Sequence, residues 1–214
     1  MAMFHNRVDA GRHLAQVVLA AGLAAERPLV LALPRGGVPV AAEVSAALGT
    51  HLDVIAVRKL GAPFQPELAM GAIGEDGVAV ENEEVVKGGG VSAAEFEAIA
   101  RRERDALERR ALRYREGRPR LDLGGRCVVI VDDGIATGST AGAACRVARA
   151  HGASRIVLAV PVAPTTAGTA LEDVCDDLLC VAQPDPFFAV GEWYGDFTPT
   201  SDDEVNELLR RSQP

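Results

Sequence analysis

The order of segments in this chain predicts an α/β fold with a mainly parallel sheet, and three observations carry the prediction. Short β-branched apolar runs alternate with segments of helical periodicity along most of the 214 residues. Several of those runs are apolar without interruption, as expected of strands covered on both faces by helices. Two of them, Leu29 to Leu33 and Cys127 to Val131, pass straight into glycine-containing turns and then into a helix, the connection that places a ligand at the carboxyl end of a doubly wound sheet.

From the amino end, Val8 to Ala21 reads as a helix, Leu29 to Leu33 as a buried strand and Val38 to Leu48 as a helix. Asp53 to Val57 is the next strand, which ends on Arg58 and Lys59 and enters a Gly/Pro-rich stretch from Leu60 to Glu67. Gly71 to Val80 is a hairpin, because Asp76-Gly77 is a strong two-residue turn signal. The flexible break Lys87-Gly88-Gly89-Gly90 precedes a long charged helix, which Ser92 and Glu95 open as a capping box and which reaches about Arg115. Its apolar seam is Phe96, Ala100, Leu107, Ala111 and Tyr114. Glu97 with Arg101 and Asp105 with Arg109 have the spacing of helical ion pairs, so the arginine cluster reads as a solvated face rather than a nucleic-acid site. The strand Cys127 to Val131, a helix opening at Ser139, the strand Arg155 to Val160, a helix over Ala167 to Val174 and the strand Leu178 to Val181 complete the alternation, with no internal repeat.

The composition, 48% hydrophobic and 24% charged, is that of a globular protein with room for one α/β domain and a small appendage. A net charge of −8 disfavours nonspecific attraction to nucleic acid or anionic membrane, so a polyanionic ligand has to be met by local charges and a metal. Cys127, Cys145, Cys175 and Cys180 form no C-x-x-C pair and sit among apolar neighbours, as reduced core residues do. His5, His13, His51 and His151 lie in no metal-ligand spacing, and no organised Ser-His-Asp signature is present. The opening MAMFHNRVDAGRH lacks an apolar core and no apolar run reaches membrane-spanning length, so a cytoplasmic location is expected.

The most informative stretch is Val128 to Ala141, VVIVDDGIATGSTA. A buried strand ends on Asp132 and Asp133, which point to opposite sides on an extended backbone and need not do the same job. Gly134, Ile135, Ala136, Thr137, Gly138, Ser139 and Thr140 then form a small-residue loop whose N–H groups and hydroxyls can cradle an anion at the positive end of the next helix. Carboxylates beside a phosphate cradle make sense if they meet neutral hydroxyls, as on a ribose, while the loop holds the 5′-phosphate. No lysine follows the glycines and the G-x-G-x-x-G spacing is absent, so neither the P-loop nor the dinucleotide pattern applies.

VVIVDDGIATGST resembles the ribose-phosphate motif of the type I phosphoribosyltransferases, in which two acidic residues bind the ribose hydroxyls and the loop grips the 5′-phosphate. The resemblance implies that family's doubly wound fold as a single domain over 1–214: a core of about 29–182, a hood or lid from about 1–25 and 183–214, and the helix 92–115 inserted. Pro34-Arg35-Gly36-Gly37-Val38 is similar to the family's pyrophosphate loop, which often holds a non-proline cis peptide bond, and makes Arg35, Gly36 and Gly37 substrate ligands. Arg58 and Lys59 inherit the role of basic residues reaching the pyrophosphate below a mobile lid, with Glu67 placed to orient them and given no catalytic role. Pro184 to Gly191 and then Asp196 resemble the C-terminal segment of the purine enzymes, which implies that Phe188 stacks on the base and Asp196 assists Mg2+. That segment is one residue longer between Gly191 and Asp196 than the purine pattern, Ala136 and Gly134 replace an acidic and an aliphatic residue, and no lysine precedes Pro184.

The reaction so implied takes phosphoribosyl pyrophosphate (PRPP) with Mg2+ and transfers its phosphoribosyl group to a nucleobase, a purine ahead of a pyrimidine, as in purine salvage and nucleotide metabolism. Asp132 and Asp133 hold the sugar while Arg35, Arg58, Lys59 and Mg2+ neutralise the departing pyrophosphate. A homodimer is compatible with this reading. The alternative is a non-catalytic module on the same fold that senses PRPP or a nucleotide; the Arg58-Lys59 pair favours the enzyme, since a sensor of ribose 5-phosphate groups does not need it.

Overall fold

The computed structural model describes residues 2–212; Met1, Gln213 and Pro214 lie outside the described residues, as do the side chains of Pro66 and Glu67. Its main sheet has five parallel strands in the order β2 (Leu52–Val54), β1 (Leu29–Ala32), β6 (Cys127–Val131), β7 (Arg155–Val162) and β8 (Asp177–Ala182). Residues alternate across it with the period of a strand. Leu29, Leu31, Val128 and Ile130 pack against α5 (Ser139–Ala150) and α6 (Ala167–Leu171) on one face. Val30, Ala32, Val129 and Val131 pack against α1 (Arg7–Ala20), α2 (Gly37–Leu48) and α7 (Asp202–Arg211) on the other. The uninterrupted apolar runs are thus explained by a sheet that faces helices on both sides.

A smaller antiparallel sheet joins β3 (Val57–Ala62), β4 (Gln65–Gly74) and β5 (Ala79–Glu81). The expected strand Asp53 to Val57 is here divided: β2 ends at Val54, and β3 begins at Val57 in the second sheet. Arg58 and Lys59 accordingly lie inside a strand, paired with Ile73 and Ala72, and the Gly/Pro-rich stretch is a hairpin turning at Pro63-Phe64. The cause is non-local. Glu75, buried beyond the end of β4, accepts from the Ala56 N–H at 3.3 Å, and β4 supplies the ladder that draws the chain out of the main sheet.

The expected hairpin around Asp76-Gly77 is β4–β5, connected by a 3-10 turn. After the short α3 (Glu83–Gly88), α4 (Ala93–Arg115) starts at the Ser92–Glu95 capping box, and its buried seam is the expected one with Arg115 added. Glu97 meets Arg104 at 3.7 Å. Leu60, Met70 and Ile73 of the small sheet bury their side chains against Phe96, Ala100, Leu107 and Ala111 of α4. α6 ends at Leu171, three residues before the expected limit, and α3 and α7 were not anticipated; Ser201, whose side chain accepts from the Glu204 N–H at 3.1 Å, caps α7 through an S-x-x-E pattern visible in the sequence.

The segment before α1 meets the segment that follows β8. The N–H groups of Met3 and Phe4 donate to the Trp193 carbonyl at 3.0 and 2.9 Å, and that of Gly195 donates to the Phe4 carbonyl at 2.8 Å. Phe4, Ala10, Val162 and Tyr194 form a buried cluster there. α1 packs on the main sheet, and its first turns, through Arg7 and Ala10, also join the carboxyl-terminal segment.

Candidate active site

The strand order reverses between β1 and β6, and at such a switch point the loops leaving the carboxyl ends diverge and open a crevice. The two segments singled out in the sequence line it. The Leu33 N–H donates to the Val131 carbonyl at 2.8 Å, and the following Pro34–Arg35 peptide bond is cis, as the resemblance implies. The next turn lies directly on the acidic pair: a Cβ on Gly36 would collide with Asp133 Oδ2, and one on Gly37 would come within 2.6 Å of the Val131 carbonyl oxygen. Only glycine fits so close an approach.

Asp132, the loop from Gly134 to Ala141 and Val190 enclose a cleft of about 200 Å³. Ile135 anchors the loop, buried in the core with its N–H donating to the Val162 carbonyl at 2.9 Å. Ala136, Thr137, Ser139 and Thr140 are exposed, and the hydroxyls of Thr137 and Ser139 stand 3.2 Å apart beside Gly138, the N-cap of α5. Helix N-terminal N–H groups, a favourable dipole and small hydroxyl side chains give this place the chemistry that suits an anion. Gly134 has a specific reason too: a Cβ there would meet Val190 Cγ1 at 2.5 Å. Its replacement of a larger residue lets the carboxyl-terminal segment close on the loop.

The two carboxylates face different surroundings. Asp132 lines the cleft, and its Oδ1 accepts from the Asp133 N–H at 2.9 Å. Burial, followed by the adjacent charge of Asp133, pushes its carboxyl well above the ordinary range. Asp133 Oδ2 instead accepts from Arg7 Nε at 2.8 Å. Arg7 is buried, donates from Nη1 to the Thr198 carbonyl at 2.7 Å and stacks 4.0 Å from the centre of the Phe197 ring. The Tyr194 hydroxyl donates to the Asp133 carbonyl oxygen at 2.5 Å, and burial, then the Asp133 charge, raises that phenol so that it stays protonated. Arg7 and Tyr194 were not foreseen. Neither carries a local signal, since Arg7 reads only as a charge at a helix start.

The remaining expected residues are distributed unevenly. Lys59 projects toward α5 and lines a small cleft with Ser139 and Arg146. Arg58, its neighbour on β3, lies on the opposite face at 2.9 Å from Glu103 of α4, so the structure does not bring the two cations together. Arg35 is exposed, 3.8 Å from Asp202 Oδ1 at the start of α7. Phe188 is 77% exposed and does not line the loop cleft. Asp196 lines another cleft, with Arg7, Pro39 and Glu204, where its Oδ1 accepts from the Thr198 N–H at 2.9 Å and hydroxyl at 2.6 Å. The cysteines are free thiols; burial lifts Cys127 to about 11 and Cys145 to about 12, which leaves them protonated and unreactive. Among the described residues no helix is long and apolar enough to cross a membrane.

A family model described as phosphoribosyl transferase domain matches residues 3–194. A curated Mycobacterium tuberculosis protein of strain H37Rv, Rv0571c, is 56% identical over 212 residues, 99% of this chain and 47% of its own length; its name marks its phosphoribosyl transferase activity as unproven. The chain thus spans about half the length of the curated relatives it matches. The crystal structure of TT1426 from Thermus thermophilus superposes with a TM-score of 0.91 at 42% identity, covering 100% of both chains. A Neisseria gonorrhoeae protein, at 13% identity and a TM-score of 0.51 over 100% of this chain and 98% of its own, shares the fold.

Proposed function

We propose a reaction from the premise that the chain belongs to the phosphoribosyl transferase domain family: transfer of the 5-phosphoribosyl group of PRPP to a nucleobase, a purine ahead of a pyrimidine. One observation carries this reading. A hydroxyl-bearing loop at a helix N-terminus and a carboxylate share one cleft of about 200 Å³ at the switch point of a parallel sheet. In the proposed reaction the loop Gly134 to Thr140 holds the 5′-phosphate and Asp132 meets the ribose hydroxyls. The bond from the anomeric carbon to the pyrophosphate oxygen breaks with its electron pair on oxygen, the acceptor nitrogen bonds to that carbon, and the nitrogen gives up a proton. Arg35, the Gly36 N–H and Lys59 meet the leaving group, where negative charge grows, while the Gly37 N–H is held by the Leu33 carbonyl at 3.0 Å and Gly37 serves by its lack of a side chain. Arg58 receives no role, because Glu103 holds it on the other face of β3.

Mg2+ enters as the Mg-PRPP substrate. Among the described residues no group of three or more His, Cys, Asp or Glu side chains is arranged to hold a metal, and Asp196 is engaged by Thr198 away from the loop. The donor set fits an ion carried mainly by substrate phosphates and water, the usual arrangement for Mg2+. Val190 supplies an apolar wall beside the loop, and the exposed Phe188 two residues earlier offers a ring for the base.

The test is pyrophosphate release from Mg-PRPP across a panel of nucleobases, with Asp132→Asn as the control. Release that depends on one base and disappears in the control is the expected result. Tight PRPP binding with no release on any base would replace this reading with the sensing module.

A further inference from the structure

We propose that Arg7 is a positioning residue for the sugar end of the cleft, holding Asp133 and through it the Asp132 carboxylate that faces the cleft. The inference rests on the phosphoribosyl reading of the site.

Three contacts make Asp133 a joint. Its carboxylate oxygen Oδ2 accepts from Arg7 Nε at 2.8 Å and lies against the Gly36 turn. Its carbonyl oxygen is taken by the Tyr194 hydroxyl at 2.5 Å. Its N–H reaches Asp132 Oδ1 at 2.9 Å and so orients the carboxylate that faces the cleft. Arg7 is in turn fixed by the Thr198 carbonyl at 2.7 Å and by the Phe197 ring, which leaves it little freedom to release Asp133. A buried arginine that neutralises one of two adjacent carboxylates also removes part of the repulsion that would otherwise splay them. The start of α1 and the carboxyl-terminal segment therefore set the geometry of the sugar site without touching the sugar.

The experiment compares Arg7→Met, Arg7→Lys, Asp133→Asn, the Arg7→Met/Asp133→Asn double variant and Asp132→Asn. It reads the KM for PRPP, kcat, and the rise in melting temperature on adding Mg-PRPP. Arg7→Met and Asp133→Asn should each raise the KM roughly 10- to 100-fold, the cost of a misplaced group. The double variant should be no worse than the weaker single, because both remove one interaction. Arg7→Lys should recover part of the loss, and Asp132→Asn should abolish the PRPP-induced rise. If Arg7→Met fails to fold, the near-isosteric Asp133→Asn carries the comparison with Asp132→Asn. Wild-type binding of PRPP with unchanged KM in both Arg7 variants would overturn the proposal alone. No PRPP-induced rise in the wild type would overturn the phosphoribosyl reading and the proposal with it.

Discussion

At Asp132 burial and then the charge of Asp133 raise the carboxyl in the folded chain, so the native state holds that proton more tightly than the unfolded state does. Stability therefore falls as pH climbs from the ordinary carboxylate range through the raised folded value. Asp132→Asn removes the penalty. Its melting temperature should exceed that of the wild type at neutral pH, and the two should converge below about pH 3, where the carboxyl is protonated in both states. A melting series across pH reads this directly, and equal gaps at every pH would show that Asp132 is not held in an unfavourable place. Gly134 tests packing at the same scale. Gly134→Ala meets Val190 at 2.5 Å, and the stiff β-branched side chain has little room to yield. A loss of about 1–3 kcal/mol is expected by urea unfolding, with Val190→Ala recovering much of it.

Among the elements, α4 is tied to the core by a group that its surface pattern hides. Arg115 ends the helix with its guanidinium buried against Asp53 of β2 at 2.8 Å, against Glu75 beyond β4, and on the Val54 carbonyl at 2.8 Å. One cation thus joins the long helix to both sheets. Arg115→Met leaves two buried carboxylates without the cation that neutralises them, and urea unfolding should show a loss of about 3–5 kcal/mol. The alternation of β3 supplies a second prediction for this scale. Lys59→Ala should lower kcat/KM for PRPP roughly 100-fold, as loss of a charge at the leaving group does. Arg58→Ala should cost far less, since its partner is Glu103. Pyrophosphate release by the two variants decides whether the strand delivers one cation or two.

For the whole molecule, the segment before α1 and the segment between β8 and α7 are joined through Phe4 and Tyr194. Phe4→Ala empties a buried aromatic site and should cost about 3–5 kcal/mol. Because the carboxyl-terminal segment between β8 and α7 is held by that cluster, limited proteolysis of the variant should cut first between residues 183 and 201. Cleavage starting in the main sheet instead would show that this cluster does not hold that segment.

The parts of the molecule that could be read in advance are those encoded by neighbours along the chain. The alternation of Leu29 to Ala32 and Cys127 to Val131, the Ser92–Glu95 box, and the run from Asp132 to Thr140 are each contiguous, so period, capping and turn chemistry suffice to place them. α7 carried its own Ser201–Glu204 signal and was legible on the same grounds. The rest depends on which distant groups meet. Arg7 reaches Asp133 across 126 positions, Tyr194 reaches it across 61, and Arg115 reaches Asp53 across 62. Val190 fills the space over Gly134, and β4 pulls Arg58 and Lys59 into a strand that sends them to opposite faces. The parallel fold and the hydroxyl-bearing loop after β6 therefore follow from residue order, because hydrophobic period and turn chemistry act over a few residues. Which charge neutralises which follows from packing in three dimensions, since burying an ionised group requires a partner at contact distance and nothing in local order names that partner.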